Sequence, residues 1–230
     1  MTRSTITAAF ASEAEALVTV AAGLSRAELQ HPGSCPPWTV GELLSHVIVA
    51  TGRVRQALAG PADGPDSRLV ATADYYRPDE RFSPAANADR IEVASKLSAR
   101  LGTAAAMSAE LDRVSQDSLR LLAAAASDRT VRTRHGDRML LTDFAVTRIV
   151  ELGVHGLDLA ISLDRPPWLT GPAATVLLEL LLPGGQAGRV HERLGGDEGT
   201  LIAKLTGRLP LPAAEQDALR DSGVTRLTLG

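Results

Sequence analysis

The segment that most constrains the fold is residues 142–163, TDFAVTRIVELGVHGLDLAISL, where polar side chains recur inside an apolar helical pattern. Glu151, His155 and Asp158 are four and three residues apart, a spacing that places side chains on one face of a helix. An acid and an imidazole buried on so apolar a helix need a polar partner. A divalent metal satisfies both groups, since carboxylate and imidazole are ordinary metal ligands. The segment therefore predicts a helix that supplies two ligands, and a third must come from elsewhere in the chain.

Three further long helices are predicted upstream. Residues 4–29 and 90–126 keep apolar side chains at three- and four-residue steps, and Gly102 permits a bend in the second of these segments. Thr39 and Glu42 have the spacing of a capping box, which predicts the start of another helix. Four long helices joined by irregular segments favour a four-helix bundle, a fold that builds metal sites from side chains on facing helices.

Composition agrees with a helical core and bears on the class of protein. Hydrophobic residues make up 44% of the chain and aromatic residues only 3%, so Leu, Val, Ala and Ile must form most of the core. The net charge of −3 and the lack of a basic stripe give no indication of nucleic-acid binding. Cys35 is the only cysteine, which excludes an intramolecular disulfide. No stretch reaches the ~18 apolar residues of a membrane helix. We therefore expect a soluble, cytoplasmic protein without a membrane partner.

The C-terminal part has a different pattern from the rest of the chain. Residues 200–206 and 224–229 alternate like strands, and residues 212–222 between them have a helical pattern. The sequence therefore predicts a mainly α protein with two domains. A four-helix bundle spans residues 1–165, and a small α+β domain spans residues 166–230.

Four aromatic residues outside the helical segments are open to more than one interpretation. Residues 61–89 show no sustained repeat of apolar residues, either helical or strand-like. A stretch of this kind between helices is either a functional flap or a disordered insertion. Tyr75 and Tyr76 in this stretch either line a pocket or pin the loop to the body of the protein. His135 lies in an Arg-rich turn and is most simply a solvated residue. Trp38 is interpreted as a core anchor beside the helix cap rather than a stacking surface for substrate.

A family resemblance changes the interpretation of His46, which taken alone would be an ordinary histidine on an apolar helical face. The motifs PPWTVGELLSHV and RIVELGVHGLDLA stand about a hundred residues apart. Together they resemble the mycothiol-dependent maleylpyruvate isomerase family, part of the DinB-like superfamily of metal-binding four-helix bundles. The resemblance covers about residues 5–165, and both motif blocks match without gaps.

The resemblance implies a DinB-like bundle with a divalent metal, usually zinc, held by His46, Glu151 and His155. Three protein ligands leave a coordination position open, as in catalytic rather than structural zinc sites. The resemblance also implies mycothiol as a thiol cosubstrate, whose metal-bound thiolate attacks a small electrophile. The product is then an isomer or a thiol conjugate. The substrate, the metal and the choice between monomer and homodimer stay open.

Two other residues of the same helix are candidate catalytic groups. Asp158 either orients the imidazole of His155 or makes a structural hydrogen bond near the helix end. Arg148 either pairs with the acid one turn later or faces a substrate carboxylate, and the ion pair is favoured. Arg208 and Arg226, in the predicted C-terminal domain, are candidate contacts for an anion.

The sequence thus favours a metal-dependent, mycothiol-using S-transferase or isomerase. One alternative is a metal hydrolase or lyase that activates water and uses no thiol. Another is a non-catalytic DinB-like binding protein. The intact set of candidate ligands argues against the second alternative, because a scaffold has no need of three buried polar groups.

Overall fold

The structure is a computed structural model that describes residues 1–60, 68–76 and 83–221. Within these residues helices predominate and the strands form a single hairpin, so the predicted mainly α class with a small C-terminal part is confirmed. The elements in chain order are α1 (Arg3–Ala22), α2 (Arg26–Leu29), α3 (Val40–Ala59), α4 (Thr72–Tyr75), α5 (Pro84–Leu101), α6 (Ala104–Ala124), β1 (Thr130–Arg132), β2 (Arg138–Leu140), α7 (Leu141–Ser162), α8 (Gly171–Leu181), α9 (Gln186–Leu194), α10 (Glu198–Leu205) and α11 (Ala213–Asp221).

Four long helices form the predicted bundle in the cyclic order α1, α6, α3 and α7. The helices α1 and α3 lie at opposite corners, and each contacts both α6 and α7. Their apolar faces meet in the centre, where Phe10, Leu44, Leu111 and Ile149 are completely buried. The helix α5 packs against α3 outside this ring. This arrangement brings the inward faces of α3 and α7 into direct contact, and both carry candidate ligands.

Two of the predicted helices are shorter than their apolar periodicity indicates. The segment 4–29 divides into α1 and α2, because Ser25 caps a new helix in a capping box. The segment 90–126 divides at Gly102, whose φ of 67° ends α5, and Thr103 then caps α6. The prediction of two continuous helices was therefore wrong, since polar caps and a left-handed glycine interrupt the apolar stripe.

The two helices that carry the candidate ligands begin and end close to where the sequence places them. Thr39 Oγ1 accepts from the backbone N–H of Glu42 at 3.3 Å, and the Glu42 carboxylate accepts from the backbone N–H of Thr39 at 2.9 Å. This is the predicted capping box, and it fixes the start of α3. The helix α7 covers nearly all of residues 142–163.

A β-hairpin formed by β1 and β2 precedes α7. Val131 pairs with Met139 in the antiparallel register, and both side chains are completely buried. The hairpin contacts α3 through β1 and α7 through both strands. Its turn, residues 133–137, is thereby held beside the helices that carry the candidate ligands.

The described C-terminal part is helical. Residues 200–206, predicted as a strand, form most of α10 and its C-cap, Thr206. Asp197 caps the start of this helix by accepting from the backbone N–H of Thr200 at 2.8 Å. That strand prediction was wrong, because so short an apolar run fits either period and the cap decides in favour of helix. The predicted helix at residues 212–222 is confirmed as α11. The second predicted strand, residues 224–229, lies outside the described residues. The helix α8 packs on α1 and α7, and the domain boundary at residue 165 stays a prediction.

The helix α1 is long and apolar enough to cross a membrane by length and composition alone. In the structure it is a bundle helix, and Phe10, Leu17 and Ala21 on its inner face are buried against neighbouring helices. It also carries Glu13, a carboxyl group with an exposed fraction of 1%. Burial of one face is what a helix in the core of a bundle requires.

Candidate functional site

The three predicted ligands converge between α3 and α7. His46 projects from α3, and Glu151 and His155 project from α7 one turn apart. Glu151 Oε2 lies 3.3 Å from His46 Nε2 and 3.5 Å from His155 Nε2. One potential ligand atom from each residue lies within 4.8 Å of the other two. Two imidazole nitrogens and a carboxylate oxygen at one point form a donor set that a catalytic divalent metal uses.

Hydrogen bonds and charges keep the central carboxylate ionised despite its burial. Burial acts to raise the pKa of Glu151, but hydrogen bonds from His155 and His46 and the charge of Arg148 hold it well below the usual value. Burial also lowers the pKa of His46, which favours the neutral imidazole. An ionised carboxylate and a neutral imidazole are the forms that bind a metal. Burial acts to lower the pKa of His155 as well, but hydrogen bonds with Asp158, Cys35 and Glu151 raise it well above the usual value, so a metal would have to displace a proton from this imidazole.

Asp158 contacts the imidazole of His155. Its Oδ2 accepts from His155 Nδ1 at 2.9 Å, so the other ring nitrogen, Nε2, is the one directed toward Glu151. The two carboxylate oxygens of Asp158 also accept from Arg208 Nε and Nη2, each at 3.0 Å. Both side chains are nearly inaccessible, with exposed fractions of 5% and 7%. Arg208 therefore binds the protein's own carboxylate, and Arg226 lies outside the described residues.

A cavity of about 570 Å³ opens above the three candidate ligands. Its walls come from the loop before α3, from α3, α5 and α7, from the end of α4 and from the hairpin turn. Both interpretations of Tyr75 and Tyr76 hold, because both residues line the cavity and both are also buried against the core of the bundle. Tyr76 also donates from its hydroxyl group to the backbone carbonyl of Thr147 at 3.2 Å.

Two aromatic residues lie closer to the site than the sequence predicts. The indole of Trp38 stacks on the imidazole of His46, with ring centroids 4.7 Å apart and an interplanar angle of 26°. Trp38 also packs against the core, as predicted for an anchor. Its stacking on His46 is an additional contact that the sequence did not predict. His135 was predicted to be solvated, but it is half-buried and lines the cavity.

A comparison with known families decides the assignment. The family described as mycothiol maleylpyruvate isomerase N-terminal domain matches residues 10–160, which is more than half of the chain. The chain belongs to this family. The match begins within α1, ends in the last turn of α7 and includes all three candidate ligands. No curated protein and no solved structure matches the chain significantly.

In this member of the mycothiol maleylpyruvate isomerase family, Arg148 makes the predicted contact with Glu151 only weakly, and contact with a substrate carboxylate stays a prediction. Its Nη1 donates to the backbone carbonyl of Ala50 and its Nε donates to Thr147 Oγ1, each at 3.0 Å. Its Nη2 lies 3.7 Å from Glu151 Oε1, as in a weak ion pair. The same Nη2 is buried and has no hydrogen-bond acceptor, and Arg148 lines the cavity.

Sequence reasoning missed several residues of the cavity wall. Cys35 lines the cavity, and its sulfur lies within 4.8 Å of potential ligand atoms of His155 and Asp158. Arg53 lines it as well, seven residues after His46 on the same face of α3. The seven-residue spacing between His46 and Arg53 could have predicted that the two side chains lie on the same face of α3. The position of Cys35 depends on how the loop before α3 folds back, which no local pattern indicates.

Proposed function

We propose that this protein is a metal-dependent enzyme of the cytoplasm that uses mycothiol and acts as an S-transferase or isomerase on a small electrophile. The observation that carries the proposal is the convergence of His46, Glu151 and His155 at the cavity, in a chain of the mycothiol maleylpyruvate isomerase family. The thiol and the electrophile are its small-molecule partners.

The donor set supports a bound divalent metal. Two imidazoles and one carboxylate suit zinc, and the same set accepts iron, cobalt, nickel or manganese. The three groups are partly exposed to the cavity, with side-chain exposed fractions of 15% for His46, 19% for Glu151 and 12% for His155. A coordination position that faces the cavity would accept a ligand from solution, as a catalytic site requires.

The metal, when bound, would lower the pKa of a thiol and so supply a nucleophilic thiolate at neutral pH. The chain's own residues prepare the site for this chemistry. Asp158 accepts from His155 Nδ1 and so orients its imidazole, and the stacked indole of Trp38 restricts the ring of His46. Arg148 Nη2, whose only ion pair is the weak one with Glu151 at 3.7 Å, would be a donor for negative charge that develops on a substrate oxygen.

The size of the cavity supports a small substrate. A volume of about 570 Å³ falls within the ~300–1,000 Å³ of sites for small molecules. Tyr75, Trp38 and Ile91 provide apolar wall, while arginine and histidine side chains provide polar contacts. An adduct that expels the thiol gives an isomer, and one that retains it gives a conjugate.

The test is whether an added thiol binds the metal in this site. We expect a thiolate-to-cobalt absorption band when mycothiol is added to the cobalt-substituted protein, and none when S-methyl mycothiol is added. His46→Ala should abolish the band. His31→Ala is the matched control, because His31 is an exposed histidine that does not line the cavity, and it should leave the band unchanged.

Two outcomes would contradict the proposal. One is an unchanged cobalt spectrum in the presence of mycothiol. The other is turnover of a substrate that proceeds at the same rate without any thiol, which would favour the hydrolase or lyase alternative.

A further inference from the structure

Two polar atoms in the interior of the protein have no hydrogen-bond partner within the described part of the chain. One is Oε1 of Glu13, on α1, and the other is Nε1 of Trp168, in the connection between α7 and α8. Both atoms are inaccessible to solvent, and the other oxygen of Glu13 already accepts from Thr170. Buried polar atoms in folded proteins almost always bond to the protein or to ordered water. The two atoms therefore call for a partner from outside the chain.

Gly156 leaves an open space beside both of these atoms. A Cβ built on Gly156 would lie 3.4 Å from Trp168 Nε1 and 3.8 Å from Glu13 Oε1. Apart from α7 itself, no other atom of the described residues comes within 4 Å of that Cβ. Both distances are ordinary van der Waals contacts, so the space that the glycine leaves is large enough for a methyl group. A hydrogen-bond donor and an acceptor thus border the same small space.

The space lies inside the core and is narrow on its neighbouring side. A Cβ on Gly153, one turn earlier in α7, would lie only 3.0 Å from Leu169 Cδ1 and from Leu177 Cδ1. Glu13 has an exposed fraction of 1%, and both glycines are buried. Polar atoms beside such a space are cut off from bulk water, and they must be satisfied within it.

We propose that one ordered water molecule occupies the space beside Gly156, donates to Glu13 Oε1 and accepts from Trp168 Nε1. An indole N–H only donates hydrogen bonds and a carboxylate oxygen only accepts them, so a ligand that bonds to both must do both. Water does so, and it is small enough for the space. The indole N–H disfavours a cation there, and the carboxylate disfavours an anion.

The proposed water joins three parts of the molecule. Glu13 belongs to α1, Gly156 to α7, and Trp168 to the connection that leads to the C-terminal part. The water also gives a specific role to the glycine that follows the candidate ligand His155, because a side chain at position 156 would take its place. None of the three residues that border the water lines the cavity above the candidate ligands, so this site is independent of the proposed function.

A crystal structure of the wild-type protein at high resolution tests the site directly. We expect density for one water molecule within ~2.7–3.2 Å of both Glu13 Oε1 and Trp168 Nε1. A direct hydrogen bond between these two atoms would overturn the proposal, and so would a space beside Gly156 without density.

Substitutions of Gly156 test the same site in solution. Gly156→Ala fills the space with a methyl group that cannot form hydrogen bonds, whereas Gly156→Ser supplies a hydroxyl group that both donates and accepts. We expect the folding equilibrium constant of Gly156→Ser to exceed that of Gly156→Ala by about tenfold, because the hydroxyl group replaces the bonds of the displaced water. Urea denaturation of the full chain at equal metal content measures both constants.

Gly188 is the matched control, since it lies within α9 and a Cβ there meets no described atom within 4 Å. Gly188→Ser should have a folding equilibrium constant about twofold lower than that of Gly188→Ala, the order that helix propensity alone predicts. The same order at position 156, with serine no better than alanine, would show that Gly156 is needed only for packing and would overturn the proposal. If neither variant of Gly156 folds, the crystal structure of the wild type decides.

Discussion

Glu13 is a carboxyl group in the core of the bundle with only one of its oxygens hydrogen-bonded. Its Oε2 accepts from the backbone N–H of Thr170 at 2.9 Å and from the Thr170 hydroxyl at 2.7 Å. Its Oε1 is buried and has no hydrogen-bond partner. Burial raises the pKa of Glu13, and the two hydrogen bonds from Thr170 offset only part of that rise. Glu13 thus links α1 to Thr170, the N-cap of α8. Its second carboxylate oxygen stays buried without a hydrogen bond from a protein group, which disfavours the ionised form.

The raised pKa of Glu13 predicts a specific pH dependence of stability. A folded-state pKa above the unfolded value of 4.5 gives stability that is fully present below that pH and is lost as the pH rises through the folded value. Glu13→Gln removes this titration. We therefore expect the decrease in the free energy of unfolding between about pH 4.5 and about pH 7.5 to be smaller in the variant than in the wild type.

Urea unfolding of both proteins at the two pH values measures this difference. Glu15→Gln is the matched control, since Glu15 is exposed on the same helix and should leave the pH dependence unchanged. Equal pH dependence in Glu13→Gln and the wild type would show that the carboxyl group of Glu13 does not titrate abnormally in the folded protein.

At the scale of the elements, Gly102 determines where α5 ends. Its φ of 67° is in the left-handed region, and its N–H donates to the backbone carbonyl of Ser98 at 2.9 Å. A Cβ at this position would meet only the carbonyl oxygen of Ala99, at 3.8 Å. The cost of a side chain here is therefore one of backbone conformation rather than of steric contact.

Gly102→Ala should lower the free energy of unfolding by about 1 kcal/mol, measured by urea denaturation. Gly188→Ala should change the free energy of unfolding in the opposite direction, because Gly188 lies within α9 and a Cβ there meets no atom within 4 Å. Alanine at that position should stabilise the protein by up to about 1 kcal/mol through helix propensity. A stabilising effect of Gly102→Ala would contradict the assigned role of Gly102.

Local patterns were sufficient to predict the helices that carry the candidate ligands. The apolar period of α7 and the capping box of α3 are signals within a few residues, and both are present in the structure. Glu151 and His155 are one turn apart in any helix, so their proximity follows from sequence alone. Residues 200–206 were misread because seven residues do not distinguish the two periods, although Asp197 and Thr200 have the spacing of a helix cap.

Contacts between distant segments could not be predicted in this way. Trp38 stacks on His46 only because the loop before α3 folds back over its first turns. His135 and Arg134 reach the cavity because the hairpin packs beside α3. Such placements depend on tertiary packing. The local pattern of apolar residues predicts whether a segment is a strand or a helix, but not which distant segment it contacts.

At the scale of the whole molecule, the C-terminal part is tied to the candidate metal site. Arg208 follows α10 and binds both oxygens of Asp158, which in turn accepts from His155 Nδ1. Ser34 adds a second link to the same helix end by donating from its hydroxyl group to the backbone carbonyl of Asp158 at 2.9 Å. The orientation of one candidate ligand thus depends on a residue about fifty positions away in the chain.

Loss of the Arg208 link should weaken metal binding. Arg208→Gln is expected to lower the affinity for zinc by about tenfold, the lower end of the effect of residues that orient metal ligands. Competition with a chromophoric chelator measures the affinity. Arg208→Lys keeps the charge and one hydrogen bond and should recover part of it, whereas Arg220→Gln, an exposed pair with Asp217, should match the wild type. Unchanged zinc affinity in Arg208→Gln would contradict this link.

The central claim is that His46, Glu151 and His155 hold a divalent metal, and metal content tests it most directly. Elemental mass spectrometry should be applied to the wild type, to Glu151→Ala and to Glu179→Ala, an exposed control on α8. We predict about one divalent metal per chain in the wild type and in Glu179→Ala, and its loss in Glu151→Ala. No stoichiometric metal in wild-type protein purified without chelators, or equal metal content in Glu151→Ala, would contradict the claim.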